Sequence, residues 1–530
     1  MSGSGSRARS AFVAWGRMLI TVAALLVQLA VLVVVVVFFA RLSPWLLGLQ
    51  VLLAVVVTVS IVASNMPPEY KLAWTIPILL APLFGGVFYL LYGARMFTPK
   101  ERARLTASWQ QGRRALQSPI PPPELLPSGA SASAPVPSSL ASVPALARRQ
   151  AHYLETVAHY PPYQDTCVDY YPLGELGFAA MLEAMEQAEH YILFQYFIVS
   201  AGTMWDQMFD VMARKAAAGV EVRVLYDDVG SYFTLPRKFD QTLTEAGIKV
   251  QAINPFGPRV KLRYNNRNHS KILVIDGRVA FTGGINIADE YINAKVVYGH
   301  WKDTVVRVEG SAAWSFAVMF LTVWNERSEP TDFEHFRLRG TIDPPRDAPG
   351  WVQPFDDSPF DDDPVGLESY LAMIDQAQHS VRIMTPYLIL DSRMVRTLVL
   401  AAQSGVRVQI VTPHWGDSSI VHEVTRSYYE VLVAAGVQIW EYTPGYVHAK
   451  VVVADDDTAV VGTINFDYRS FYLHQECAVW LHTVDAIADI IADVDATIAI
   501  STPMTLEYLR SIRWPRRVWR AILRTFAPMM

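Results

Sequence analysis

The chain has 530 residues, 52% of them apolar, and a formal charge of −5 at pH 7. That length suggests two to four structural units, and so small a charge gives no overall argument for a nucleic-acid partner. Two cysteines, Cys167 and Cys477, lie too far apart for metal-type spacing and exclude a disulfide framework.

Three apolar segments open the chain, roughly Met18 to Ala40, Leu42 to Ser64 and Leu72 to Tyr92. Each is close to the length that spans a bilayer as a helix, so the expectation is an integral membrane protein with two to three transmembrane helices. The first is longer than a signal-peptide core and runs directly into "RLSPW" rather than a small-residue cleavage site. Arg7, Arg9 and Arg17 favour a cytoplasmic N-terminus; Arg95, Lys100, Arg102, Arg104, Arg113 and Arg114 favour a cytoplasmic side for the rest of the chain. Three full crossings cannot satisfy both clusters. The denser second cluster places the large C-terminal body in the cytoplasm, with the first two segments forming a tight or incomplete hairpin around Pro44. Residues 1–115 are thus a membrane module. Gln117 to Pro144 is rich in Pro, Ser and Ala, which marks 116–148 as a flexible linker with a reach on the order of 30 Å.

From about Ala145 onward, β-rich runs alternate with helical patterns, the signature of α/β layers. The pattern repeats. "AEHYILFQYFIV" from Ala188 returns as "AQHSVRIMTPYLI" from Ala377, "AAAGVEVRVLYDD" from Ala216 as "AAQSGVRVQIVTP" from Ala401, and "EAGIKVQAINP" from Glu245 as "AAGVQIWEYTP" from Ala434. Two copies of one α/β unit are expected, over 149–345 and 346–500, packed about a pseudo-twofold axis.

Each copy carries one motif. "HSKILVID" (His269 to Asp276) is matched by "HAKVVVAD" (His448 to Asp455), and each histidine precedes an asparagine, Asn286 or Asn465, by 17 positions. Residues two apart in a strand share a face, so His269 and Lys271 point the same way, as do His448 and Lys450. If both sets converge on one cleft, that cleft suits a phosphodiester. Lysines and amides hold the phosphoryl oxygens, one imidazole attacks phosphorus, and the other protonates the departing alkoxide. Asp276 and Asp455 are expected to orient and support the imidazoles. Two histidines and two aspartates could also ligate zinc, but a lysine beside each histidine opposes a second cation, and no metal is expected.

At these residues the chain resembles the phospholipase D superfamily, whose mark is His-x-Lys-x4-Asp twice. It is more closely similar to bacterial cardiolipin synthases through "LYDDVGS" (Leu225 to Ser231), "NHSKILVIDGRVAFTGGINIADEY" (Asn268 to Tyr291) and "WKDT" (Trp301 to Thr304). "RSYYEVLVAAGVQIWEYTPGYVHAK" (Arg426 to Lys450), "NFDYRSFYLHQE" (Asn465 to Glu476) and the apolar stretch Pro68 to Gly93 extend the likeness. The resemblance implies transfer of a phosphatidyl group between two phosphatidylglycerols through a phosphatidyl-histidine, giving cardiolipin and glycerol without a cofactor. It implies His269 as nucleophile, His448 as acid, anionic membrane lipid as partner and the bacterial inner membrane as location. The alternatives are a hydrolytic phospholipase D and a phosphatidyltransferase with another acceptor. Two departures stand out: Thr463 where the family usually has serine, and Gln195 where glutamate is frequent. Glu476 matches an acidic position of the family and joins Asn286 and Asn465 as a candidate substrate contact, or is a salt-bridge residue.

The C-terminal segment, 501–530, is basic and amphipathic. Val518, Trp519, Ile522, Leu523 and Phe526 fall on one helical face, with Arg516, Arg517, Arg520 and Arg524 around it. Either an interfacial helix on anionic lipid or a helix packed on the catalytic body fits this pattern.

Overall fold

A computed structural model of the chain describes residues 44–64, 66–92, 99–117, 143–254, 266–328, 331–337, 346–360 and 363–529, with isolated positions before 44. The chain divides into two compact units, 1–93 and 94–530. Of the first apolar segment, Met18 to Ala40, all but four positions lie outside the described residues, as does nearly all of the Gln117 to Pro144 stretch.

In the smaller unit the third apolar segment is not one span. It breaks into helices Pro68–Leu80 and Pro82–Tyr92, of 13 and 11 residues, or about 20 and 16 Å, well short of a hydrocarbon core of about 30 Å. Pro82 lacks a backbone N–H and disfavours the helical conformation in the residue before it; Ala81 accordingly sits at φ −143°, ψ 79°. The two helices fold back on each other: the Trp74 ring lies 5.3 Å from Phe88 and 5.4 Å from Tyr89. Gly85 permits the approach, because a Cβ there would meet the Pro77 carbonyl oxygen at 2.5 Å. Helix Pro44–Ala63 has 20 residues, with side chains described from Gly48 onward. Among the described residues no helix is long and apolar enough to cross a membrane.

The larger unit carries the duplicated α/β architecture. Its first sheet takes β1 (Thr166–Tyr171), β2 (Tyr191–Tyr196), β3 (Glu221–Asp227), β4 (Lys249–Ile253), β5 (Ile272–Ile275), β6 (Val279–Gly283) and β8 (Val305–Gly310) in the order β1-β8-β6-β5-β2-β3-β4. The second takes β9 (Trp351–Asp357), β10 (Ser380–Met384), β11 (Arg407–Pro413), β12 (Gln438–Tyr442), β14 (Val451–Ala454), β15 (Thr458–Gly462), β16 (Glu476–His482) and β17 (Thr502–Pro503). Its order, β17-β12-β11-β10-β14-β15-β16-β9, matches the first strand for strand apart from the added β17. β2 pairs parallel with β3 and antiparallel with β5; β10 pairs parallel with β11 and antiparallel with β14. The strands at the motifs, β5 and β14, are buried at every position, as continuous Ile/Leu/Val runs require.

The halves are one body. Helix Ala313–Asn325 is buried along its whole length, and short strands β7 (His300–Lys302) and β13 (Gly445–Val447) pair in parallel across the two halves. Helix Pro99–Gln117 packs on Ala313–Asn325, with Ser108 Oγ donating to the Thr322 carbonyl at 2.6 Å. Helix Ala145–Thr156 packs on β9 and on helix Val365–Gln376. The Pro/Ser/Ala-rich stretch therefore joins two helices that are both held by the larger unit.

Candidate active site

Each motif histidine lies just before its buried strand and is fixed by backbone from the opposite half. The His269 N–H donates to the Gln475 carbonyl at 2.8 Å, and the His448 N–H to the Lys302 carbonyl at 2.7 Å. Their side chains cross over in the same way. His269 Nδ1 is 2.9 Å from Glu476 Oε2, at the start of β16, and His448 Nδ1 is 2.7 Å from Asp303 Oδ2, just after β7. A carboxylate can only accept, so each Nδ1 carries the proton and each Nε2 keeps its lone pair. Thr463 and Ser470 hydroxyls donate to Glu476 in turn and fix its orientation.

This corrects the expectation for the motif aspartates. Asp276 accepts from the backbone N–H groups of Glu189, His190 and Tyr191 at 2.8, 2.8 and 2.6 Å. Asp455 does the same for Gln378, His379 and Ser380 at 2.6, 2.7 and 3.0 Å. Neither touches an imidazole in these contacts; each ties the hairpin after its motif strand to the start of β2 or β10. Seven residues of extended chain cover about 23 Å, so the motif's last residue is carried to the far end of the strand. Both adopt left-handed backbone, φ 54° at Asp276 and 51° at Asp455, which Asp tolerates in tight hairpin turns.

The lysines stay with the histidines. Lys271 Nζ donates to the His269 carbonyl at 2.7 Å, while Lys450 Nζ is 2.9 and 3.0 Å from the two ring nitrogens of His448. Lys271 is felt electrostatically by both Lys450 and His448, and Lys450 by Glu476, so the two sets share one site. Burial pushes His269 down to about 3 against the pull of Glu476, and His448 down to about 4 with Lys450 adding to the effect. Burial also lowers Lys271 to about 8 and Lys450 to about 7. Both imidazoles are therefore neutral near pH 7 and the lysines are only partly charged. Burial alone would raise Glu476 and Asp303; the facing histidines hold both below the usual carboxylate range.

The asparagines are buried but not equivalent. Asn286 Oδ1 accepts from the Ile198 N–H at 3.1 Å and its amide donates to the Tyr291 hydroxyl at 2.8 Å. Asn465 keeps a buried Oδ1 without a partner among the described residues. Gln195 donates to Asn268 Oδ1 at 3.0 Å, and Asn268 donates to Gln475 at 2.9 Å, so the departure at 195 sits in a polar chain joining the two halves. Rings close over the histidines: Phe197 lies 5.1 Å from His269, and Tyr291, Trp301 and Tyr446 lie 5.4, 5.7 and 5.9 Å from His448.

Sequence reasoning misses Asp303 and His474, although both fall inside stretches that carry the resemblance. The His474 ring lies 5.6 Å from that of His269. His269, His474 and Glu476 bring three metal-capable atoms within 4.8 Å of one another, with Lys271 in electrostatic reach of the carboxylate.

Comparison with known proteins places the chain in a family. A family model described as "Cardiolipin synthase, PLD-like domain" matches residues 181–297 and 370–498, and one described as "Phospholipase_D-nuclease N-terminal" matches 52–93. A cardiolipin synthase of Halalkalibacterium halodurans is 30% identical, covering 92% of this chain and 95% of the relative. Cardiolipin synthase 1 of Bacillus anthracis is 31% identical over 88% and 90%. An uncharacterized protein of Streptococcus mutans is 41% identical over 72% of this chain and 82% of its own. The crystal structure of a phosphatidylserine synthase from Haemophilus influenzae shares the fold, with a TM-score of 0.54 at 12% identity over 72% of this chain and 99% of that one. The chain belongs to the phospholipase D superfamily and, within it, to the bacterial cardiolipin synthase family.

Proposed function

We propose that the protein is a cardiolipin synthase in which His269 Nε2 attacks the phosphorus of one phosphatidylglycerol and glycerol leaves with a proton that the Lys450 ammonium relays through His448 Nε2. The 2.9 Å Glu476 contact that fixes the His269 tautomer carries this reading. In the second step His448 takes the proton of a hydroxyl on another phosphatidylglycerol; that oxygen attacks the phosphatidyl-histidine, forming cardiolipin and freeing His269. An asymmetry favours these roles. Each lysine donates to the carbonyl of its own histidine, but Lys450 also lies 3.0 Å from His448 Nε2 and can hold and hand over the proton the acid needs, whereas Lys271 makes no such ring contact and leaves the His269 Nε2 to the substrate. The lysines and the Asn465 side-chain amide would hold the phosphoryl oxygens. Both histidines are only 7% exposed, which limits water at the covalent intermediate and favours transfer over hydrolysis.

Product analysis tests the reaction. Purified protein with phosphatidylglycerol alone, in EDTA, is expected to yield cardiolipin and glycerol, with phosphatidic acid minor. Phosphatidic acid as the dominant product at every surface density of substrate would establish the hydrolase instead. A pH profile tests the charge state. With Lys450 near 7 and Lys271 near 8, both lose their proton as pH rises through 7 to 8 in the free enzyme. kcat/KM on a short-chain phosphatidylglycerol should therefore fall by about tenfold per pH unit above 7 and by up to about a hundredfold per unit above 8. A profile flat from pH 6 to 9 would remove the lysines from phosphate binding.

The chain is read as an integral protein of the bacterial inner membrane, with both ends of its N-terminal unit on the cytoplasmic side. The described part of helix Pro44–Ala63 exposes Leu49, Leu52, Val55, Val56, Val59 and Val62. Such a side-chain set suits lipid. If the first two apolar segments cross and the third folds back at Pro82, the number of crossings is even, and both arginine clusters can lie on the same face. Cysteines placed at Ser10 and Asp210 should both resist an impermeant maleimide in intact cells and both react after lysis; labelling of one alone in intact cells would require an odd number of crossings.

A further inference from the structure

Helix Trp514–Thr525 is docked the opposite way round from an ordinary surface helix. Its arginines face the body: Arg516 and Arg520 pair with Glu423, Arg517 with Glu430, and Arg524 lies 4.2 Å over the Tyr428 ring. Its apolar stripe faces outward, with Trp514 at 75% exposure and Val518, Trp519 and Ile522 near half. Leu523 alone of the stripe's central residues is buried. A helix held by ion pairs that turns two tryptophans to the outside has an apolar face in want of an apolar phase.

The stripe does not stand alone. Helix Ser419–Ser427, which packs beside it, exposes Ile420, and the loop before that helix exposes Trp415. The same loop reaches the active site. The Asp417 carboxylate accepts from the Tyr387 hydroxyl, Tyr298 donates to the Asp417 carbonyl at 3.3 Å, and the Tyr446 hydroxyl contacts Tyr387 at 3.3 Å. Tyr446 in turn stacks on His448. Across this tyrosine rim, Val296 and Val297 are exposed.

Charge selects the occupant. Helix Trp514–Thr525 contains no acidic residue. Beneath it a cavity of about 360 Å³ is lined by Arg426, Arg517, Arg520 and Arg524 against one acidic residue, Glu430, which leaves a basic excess. Tryptophan at an interface with arginine beside it is the pairing that anionic bilayers favour.

We infer that this face, from Val296 past Trp415 to Trp519, is a bilayer-docking surface. It seats Trp514 and Trp519 among anionic phospholipids and brings the tyrosine rim of the site to the lipid plane. The inference rests on the proposed lipid chemistry for its purpose, but its test does not use turnover alone. Cys167 and Cys477 are both buried, so a cysteine introduced on the surface can be labelled selectively. Full-length protein carrying an environment-sensitive fluorophore at Trp519→Cys or Trp415→Cys is reconstituted into vesicles with and without phosphatidylglycerol.

The expected result is a blue shift, quenching by lipid-borne nitroxide and protection from iodide, all stronger in the anionic vesicles, with a label at Asp210→Cys remaining aqueous. Iodide access at 519 and 415 equal to that at 210 would overturn the inference. So would protection that persists in detergent together with 519–519 crosslinking, which would assign the face to a second copy. For the double variant Trp514→Asp/Trp519→Asp, the ratio of activity on vesicles to activity on short-chain phosphatidylglycerol should fall about tenfold; an unchanged ratio would also overturn it. Absence of cardiolipin from the parent protein would instead overturn the reaction and leave the label result standing.

Discussion

His269→Ala is expected to abolish phosphatidyl transfer, a loss on the order of 10⁴-fold or more, and to form no covalent phosphatidyl-enzyme with any substrate. His448→Ala should match that loss with phosphatidylglycerol, whose glycerol leaving group needs a proton, yet still form the intermediate from a phosphatidyl ester of p-nitrophenol, which does not. The contrast follows from the two imidazoles' surroundings: one Nε2 is left to the substrate, the other has Lys450 at 3.0 Å. Single-turnover release of p-nitrophenol, with mass mapping of the labelled histidine, checks both variants. A burst from His269→Ala, or a label on His448, would reverse the roles.

The second large effect separates two pairs of carboxylates. Glu476→Gln and Asp303→Asn should each lower kcat by about 10²- to 10⁴-fold with little change in melting temperature, because each exchanges an acceptor-only carboxylate at Nδ1 for an amide whose NH2 can face the ring and select the wrong tautomer. Asp276→Asn and Asp455→Asn should act mainly on stability, by about 2 kcal/mol or more, because each weakens three charge-assisted bonds to backbone N–H groups at a strand start. Thermal melts and kcat measured on all four variants decide it. Loss of kcat at full stability in the motif aspartates would restore their direct role at the imidazoles.

The duplication and the histidine–lysine pairs are legible in the sequence because they are local and periodic: His269 with Lys271 and His448 with Lys450 stand two residues apart at the entry to a readable apolar strand. The orienting carboxylates are not, because Glu476 reaches its histidine across 207 positions and Asp303 across 145. Giving that task to Asp276 and Asp455 neglects the length of the intervening strand. A single span over Leu72 to Tyr92 neglects Pro82, whose effect on Ala81 is local and readable. The direction in which helix Trp514–Thr525 faces is beyond the reach of the sequence, since the pattern sorts arginines from tryptophans but does not say which side meets Glu423 and Glu430.

The crossed pairing makes reactivity conditional on complete assembly. A chain whose first half has folded ahead of the second has His269 without Glu476, and an isolated second half would have His448 without Asp303. Neither half can fix the tautomer of its own imidazole. On the proposed mechanism, a nascent or damaged molecule beside a membrane rich in phosphodiesters is thereby kept from cleaving them, and competence to form the phosphatidyl-histidine arrives only when β16, which carries Glu476, has closed against the first sheet's motif.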